Sequence, residues 1–156
     1  MNIKAKNITE DNFKKFGKIA VSQKTEPTSF SKDYKFWSNI ADYNILGTAE
    51  IGICTVYKQT TNEITMMERH LNTPEILIPI DAPFILPLLL DGEWEDQAEA
   101  FKVDIGEAVI INEAVWHGAC LPIDKMESSY FVIFRKGTPL EDVEKKEIKK
   151  IKINFP

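Results

Sequence analysis

The stretch Met66–Ala82, MMERHLNTPEILIPIDA, sets Glu68 and His70 two residues apart, follows them with Asn72-Thr73-Pro74, and resumes at Glu75 in a run of branched aliphatics. Successive side chains on a β-strand point to opposite faces, so Met66, Glu68 and His70 share one face and Met67 and Arg69 the other. Glu75 lies an odd number of residues past His70 and joins that face only if the chain turns between them. Asn-Thr-Pro is a credible turn, because Asn tolerates tight turns and Pro fixes φ. The second histidine, His117, lies downstream in Gly106–Ala119, GEAVIINEAVWHGA. There Val115, His117 and Ala119 share a face and Trp116 takes the other.

Outward from these two stretches the helical period is absent. GTAEIGICTVYKQ (47–59), EITMMERH (63–70), EILIPI (75–80), FILPLLL (84–90), EAVII (107–111) and SYFVIF (129–134) are short, rich in β-branched or aromatic residues, and bounded by turn-formers. Short strands at this spacing predict an all-β sandwich or barrel. Pro79, Pro83 and Pro87 inside strand-like runs predict edges, bulges or bends. A short N-terminal helix is expected over Glu10–Phe16, capped by Thr9, with Glu10 and Asp11 in its first turn and Gly17 past its end. The charged run TPLEDVEKKEIKK (138–150) reads as a short exposed helix, and IKINFP (151–156) as a closing strand. With no repeat or linker, residues 1–156 read as one domain.

That length suffices for a real hydrophobic core, and 44% apolar with 28% charged residues is an ordinary globular composition. A formal charge of −5 argues against nucleic acid, which wants a basic face. The run KKEIKKIK (145–152) is preceded by EDVE (141–144) and reads as a solvated face. The longest apolar run, ILIPIDAPFILPLLL (76–90), is broken by Pro79, Asp81, Pro83 and Pro87. It falls short of the roughly 20 residues a membrane helix needs, so no membrane partner is expected. The N-terminal MNIKAKNITEDNFKKFG lacks an apolar h-region, so no signal peptide is expected. Two cysteines, Cys54 and Cys120, without a C-x-x-C pair fit a reducing cytoplasm. Cys120 reads as a small buried hydrophobe.

Any one of Glu68, His70, Glu75 and His117 could be an ordinary hydrogen-bonded or solvated strand residue. As a set, two carboxylates and two imidazoles suit a borderline divalent ion: imidazole favours Ni, Fe, Zn or Cu, and carboxylate also admits Mn. Four protein ligands on an octahedral ion would leave two positions for a carboxylate and an adjacent hydroxyl.

The spacing of this set resembles the two motifs of the cupin superfamily. Glu68, His70, Glu75 and Ala82 fall on the places of the first motif, with Glu68 standing for its first His and Ala82 for its Gly. Gly106, Asn112, Ala114, His117 and Leu121 fall on those of the second. Within the cupins the chain is most similar to the ureidoglycolate lyase family. The likeness rests on ITEDNFKKFGKIA near the N-terminus, on Glu68-Arg69-His70, on Val115-Trp116-His117, and on FVIFRKGTPLEDVE at the closing strand. It departs from that family at Asn112, where a second His often stands, at Gly118, where a basic or polar residue is usual, and at Phe134, where an Asp commonly precedes the closing Arg.

The resemblance implies a cupin-type double-stranded β-helix barrel. It also implies cleavage of ureidoglycolate to glyoxylate and urea, a step of allantoin degradation in purine catabolism, with a divalent metal for which nickel is one candidate. Glu68, His70, Glu75 and His117 would then be the metal ligands, with Glu68 and His117 the catalytic candidates. Arg69, Trp116 and Arg135 are the candidates for binding a small carboxylate substrate. Arg69 is nonetheless on the opposite strand face from Glu68, Arg135 closes a strand, and Trp116 also fits packing. A homodimer is expected, because exposed strand edges must be paired or covered. Two other readings stand beside the lyase: a metal-binding cupin acting on another small hydroxy acid or sugar, and a non-catalytic small-ligand binder.

Overall fold

The computed structural model describes all 156 residues. In chain order the elements are β1 (Asn2–Lys4), β2 (Lys6–Asn7), α1 (Glu10–Phe13), β3 (Gly17–Ala20), β4 (Ser29–Phe30), β5 (Lys35–Phe36), β6 (Ala49–Tyr57), β7 (Glu63–Arg69), β8 (Glu75–Pro79) and β9 (Phe84–Leu89). There follow a 3-10 turn at Glu95–Gln97, β10 (Glu99–Val103), β11 (Ala108–Ile111), β12 (Trp116–His117), β13 (Leu121–Pro122), β14 (Glu127–Arg135), α2 (Thr138–Glu141) and β15 (Glu144–Asn154). The all-β expectation is met, and the larger sheet forms a nearly closed barrel.

Two sheets build the fold, beside a separate two-stranded sheet of β4 and β5. The larger runs β1, β15, β7, β12, β9, β10, β2, with β13 also on β9; the smaller runs β3, β11, β8, β14, β6. Only Ala5 separates β1 from β2, so the larger sheet returns on itself and nearly closes. Its inner face wraps a solid aliphatic core that includes Ile64, Met67, Ile85, Leu89, Trp116, Ile148, Ile151 and Ile153. Its other face packs on the smaller sheet through a second core with Phe13, Phe16, Leu77, Phe84, Leu86, Leu88, Phe101, Val109, Tyr130 and Val132. Three of these rings, Phe13, Phe16 and Phe101, meet edge to face or tilted.

Local chemistry explains several boundaries. The Thr9 hydroxyl accepts from the Asn12 N–H while the Asn12 side chain accepts from the Thr9 N–H, a reciprocal cap that starts α1. The helix ends at Phe13 rather than Phe16. By Gly17 the chain is already a strand against β11, so close that a Cβ would lie 1.8 Å from the Ile110 carbonyl oxygen. Pro87 is in mid-sheet instead of at an edge: the strand beside β9 breaks between His117 and Leu121, opposite the proline's missing N–H. The helix expected across 138–150 is corrected. Only Thr138–Glu141 is helical, and β15 begins at Glu144. Lys and Glu favour helix in isolation, but Ile148, Ile151 and Ile153 are needed in the apolar core, and tertiary burial outweighs propensity.

Candidate metal centre

In the smaller strands of the larger sheet, His117 on β12 is the cross-strand partner of Glu68 on β7, and on its other side of Leu88 on β9. Residues directly opposite share a face, so Glu68 and His117 point together toward the smaller sheet, where Leu88 joins the core. The chain leaves β7 at Arg69, turns through Leu71–Pro74, and enters the smaller sheet at Glu75, the partner of Ile111. The turn required for Glu75 to join the set is therefore present. It is pinned from two sides. The buried Thr73 hydroxyl accepts from the Arg135 N–H at 2.9 Å and donates to the Pro74 carbonyl at 2.8 Å. The Asp142 carboxylate accepts from the Leu71 and Asn72 N–H groups, both at 2.9 Å.

Asp142 also fixes His70. Its backbone carbonyl lies 2.8 Å from His70 Nδ1, which is satisfied if Nδ1 carries the proton, leaving Nε2 to face inward. Glu75 Oε2 is 3.4 Å from His70 Nε2 and 3.0 Å from His117 Nε2. None of these approaches has hydrogen-bond alignment, and all three atoms are buried with no hydrogen-bond partner. Donor atoms of Glu68, His70 and His117 lie within 4.8 Å of one another. Burial alone would push Glu75 up, and the facing His117 and His70 more than reverse it, holding the carboxyl below its usual value. Burial would likewise push His70 down, and Glu75 with the Asp142 carbonyl raises it instead. Three orphaned buried donors of the right chemistry, converging from three segments, are a fit for a divalent cation.

Two adjoining clefts open from this point. The inner, of about 460 Å³, is lined by Glu68, Glu75, His117, Gly118, Cys54, Cys120, Tyr130 and Phe134 among others. The outer, of about 570 Å³, is lined by Glu68, His70, Glu75, Phe134, Pro139, Val143 and Lys145. Cys120 is buried as expected and also reaches the inner cleft.

Arg69, Trp116 and Arg135 line neither cleft. Arg69 leaves the opposite face of β7, bonding Glu144 at 2.6 Å and Asp91 at 2.8 Å, with its guanidinium 4.4 Å from the Trp116 ring. Trp116 is buried in the aliphatic core, and Arg135 is exposed at the end of β14. The three departures from the family pattern differ in consequence. Asn112 is exposed at the turn after β11. A Cβ on Gly118 would press within 3.2 Å of Ile64 and Pro87. Phe134 sets its ring edge-on to His70 at 5.8 Å, giving the mouth an apolar wall. Sequence reasoning did not place Asp142 or Lys145 beside the site. Both lie in the run read as an exposed helix, and only their pairing with residues some 70 positions away reveals them.

Among solved structures the chain is similar to oxalate decarboxylase from Bacillus subtilis, at 19% identity and a TM-score of 0.44 over 56% of this chain and 22% of that one. It is similar also to Peruvianin-I, a cysteine peptidase from Thevetia peruviana latex, at 8% identity and TM-score 0.47, covering 64% and 55%. A third is the vicilin of Solanum melongena, at 5% identity and TM-score 0.47, covering 64% and 26%. The chain thus spans 22% of the length of the oxalate decarboxylase. No curated protein matches it. A family model described as ureidoglycolate lyase matches residues 1–154. With that match running from the first strand to the last, the chain belongs to the ureidoglycolate lyase family.

Proposed function

We propose that the protein is a metal-dependent lyase that cleaves ureidoglycolate to glyoxylate and urea. The observation that carries this reading is the convergence of His70 Nε2, Glu75 Oε2 and His117 Nε2, buried and without hydrogen-bond partners, in a chain of this family. Glu68, His70, Glu75 and His117 would hold the divalent ion, nickel or manganese among the ions such donors suit. When bound, it supplies Lewis acidity that lowers the pKa of a coordinated hydroxyl and orients the substrate.

The reaction is an elimination. The hydroxyl on the carbon bearing the carboxylate loses its proton, the C–O bond becomes a carbonyl, the C–N bond breaks, and the departing ureido nitrogen takes up a proton. Where it is not itself a ligand of the ion, Glu68 is the side chain assigned to carry that proton, because it is half-buried, faces both clefts, and sits directly beside His117. His117, fixed on a two-residue strand between β7 and β9, holds the reacting end in place. Phe134 and Leu77 exclude water from the chamber wall, which strengthens every charge interaction inside.

The protein is assigned to a reducing cytoplasm, in keeping with two free cysteines. No helix is long and apolar enough to cross a membrane. A homodimer is assigned through β6, an edge strand whose Ile51, Ile53 and Tyr57 are 70%, 66% and 62% exposed. A monomeric mass by light scattering at micromolar concentration would overturn that assignment.

The lyase reading is tested by following urea and glyoxylate from ureidoglycolate, using nickel- or manganese-loaded protein, a chelated sample and a protein-free blank. Metal-dependent release above the blank is expected. No release from folded, loaded protein would overturn the named reaction and turn attention to other small hydroxy acids and sugars.

A further inference from the structure

We propose that Lys145 binds the carboxylate of the substrate at the mouth of the chamber; the reaction it serves rests on the lyase reading above, while its position rests on geometry. Lys145 on β15 is the cross-strand partner of Glu68, which is in turn the partner of His117. The three side chains therefore leave the sheet on one face, in a single row that runs from the buried interior to the rim. Lys145 lines the outer cleft with Glu68, His70 and Glu75, and no other lysine or arginine lines either cleft.

Its charge is available. Lys6, Lys14, Lys15, Lys18, Lys102 and Lys150 are in ion pairs, and Lys146 lies over the Trp116 ring on the other face. Lys145 is in none of these. Charge balance favours such a group. The carboxylates of Glu68 and Glu75 offset a divalent ion, so a substrate carboxylate would enter with its own negative charge uncompensated. An ammonium across from Glu68 supplies the missing positive charge, at a place where Phe134 and Pro139 form an apolar rim. The ligand class that fits is a small monocarboxylate with its reacting substituent on the adjacent carbon, the carboxylate outward and the substituent toward His117.

The test titrates manganese-loaded wild-type protein, K145Q and K145R by calorimetry with glycolate and with its uncharged amide, glycolamide. KM and kcat for ureidoglycolate are measured beside it, after metal content is shown to be equal. K145Q should weaken glycolate binding about tenfold, the size of a charge-assisted hydrogen bond at a partly solvated site, and leave glycolamide unchanged. KM should rise by a similar factor with kcat nearly constant, as for an interaction equal in ground and transition states. K145R should keep most of the preference for the acid. Unchanged glycolate binding in K145Q, or no glycolate binding by wild type, would overturn the anchor. A wild type inert toward ureidoglycolate, with the acid preference still lost in K145Q, would leave the anchor standing and remove the lyase reading alone.

Discussion

Two neighbouring rows of side chains cross the same four strands, one residue apart, and have opposite chemistry. Leu88, His117, Glu68 and Lys145 form the first, set by the pairings of β9, β12, β7 and β15. Leu89, Trp116, Arg69 and Glu144 form the second in the same register. The first faces the clefts and carries the orphaned His117 Nε2. The second faces the closed core or its rim and is held by packing and ion pairs: Trp116 is packed, and Arg69 is paired with Glu144 and Asp91. Because the side-chain period of a strand is two, one step along the chain converts a cleft-facing surface into a packing surface. On the proposed reading, polar groups in the first row serve binding, and groups in the second hold the sheet together.

The two rows should differ most at His117. His117→Ala should abolish metal binding, an effect beyond the roughly 10–100-fold that follows loss of a supporting partner. Its far-UV circular dichroism and melting temperature should stay close to wild type, since it removes a buried group that lacks a hydrogen bond. Unfolding of this variant would show that the first row is structural after all.

On the other side of the sheet the expectation reverses. Ile151→Ala, at a fully buried position of the closed core, should cost about 2–5 kcal/mol in urea denaturation while metal stoichiometry of the folded fraction stays at wild type. A cost under about 1 kcal/mol would mean that this core is looser than its burial indicates.

Asp142→Ala sharpens the boundary between the two roles. It removes the acceptor for the Leu71 and Asn72 N–H groups but leaves every candidate ligand in the chain. Metal affinity should fall about 10–100-fold, with a stability loss of about 1–3 kcal/mol. Calorimetric titration of metal into the variant checks the first figure, and urea denaturation the second.

The smallest effect expected is at Cys120. Burial pushes its thiol well above the ordinary range, and a bond with Tyr130 offsets only part of that, so it stays protonated. Iodoacetamide at pH 8 should leave Cys120 unmodified in the native protein and label it after unfolding, read by peptide mass. Rapid native labelling would show that the inner cleft admits more solvent than its packing allows.

The alternation at Glu68-Arg69-His70 and at Val115-Trp116-His117 was legible in the sequence because each segment obeys the strand period locally. The turn at Asn72–Pro74 was legible from its residue types. What was not legible depends on contacts distant in sequence. In β15 the pairing shifts register between Glu147 and Ile151, so buried Ile148 and Ile151 stand three apart, a spacing that mimics a helix. That irregularity hid both the strand and Lys145, whose place beside Glu68 depends on a pairing 77 residues away (145 against 68). Asp142 was hidden for the same reason: nothing near it in sequence marks it as the group that grips His70.

The first row, completed by His70 and Glu75, is proposed as a divalent-metal site. The most direct measurement is metal stoichiometry, by equilibrium dialysis with manganese and elemental analysis, of folded wild type beside folded His117→Ala. One ion per chain in wild type and none in the variant is the predicted result. No ion in wild type, or an equal content in both, would contradict it.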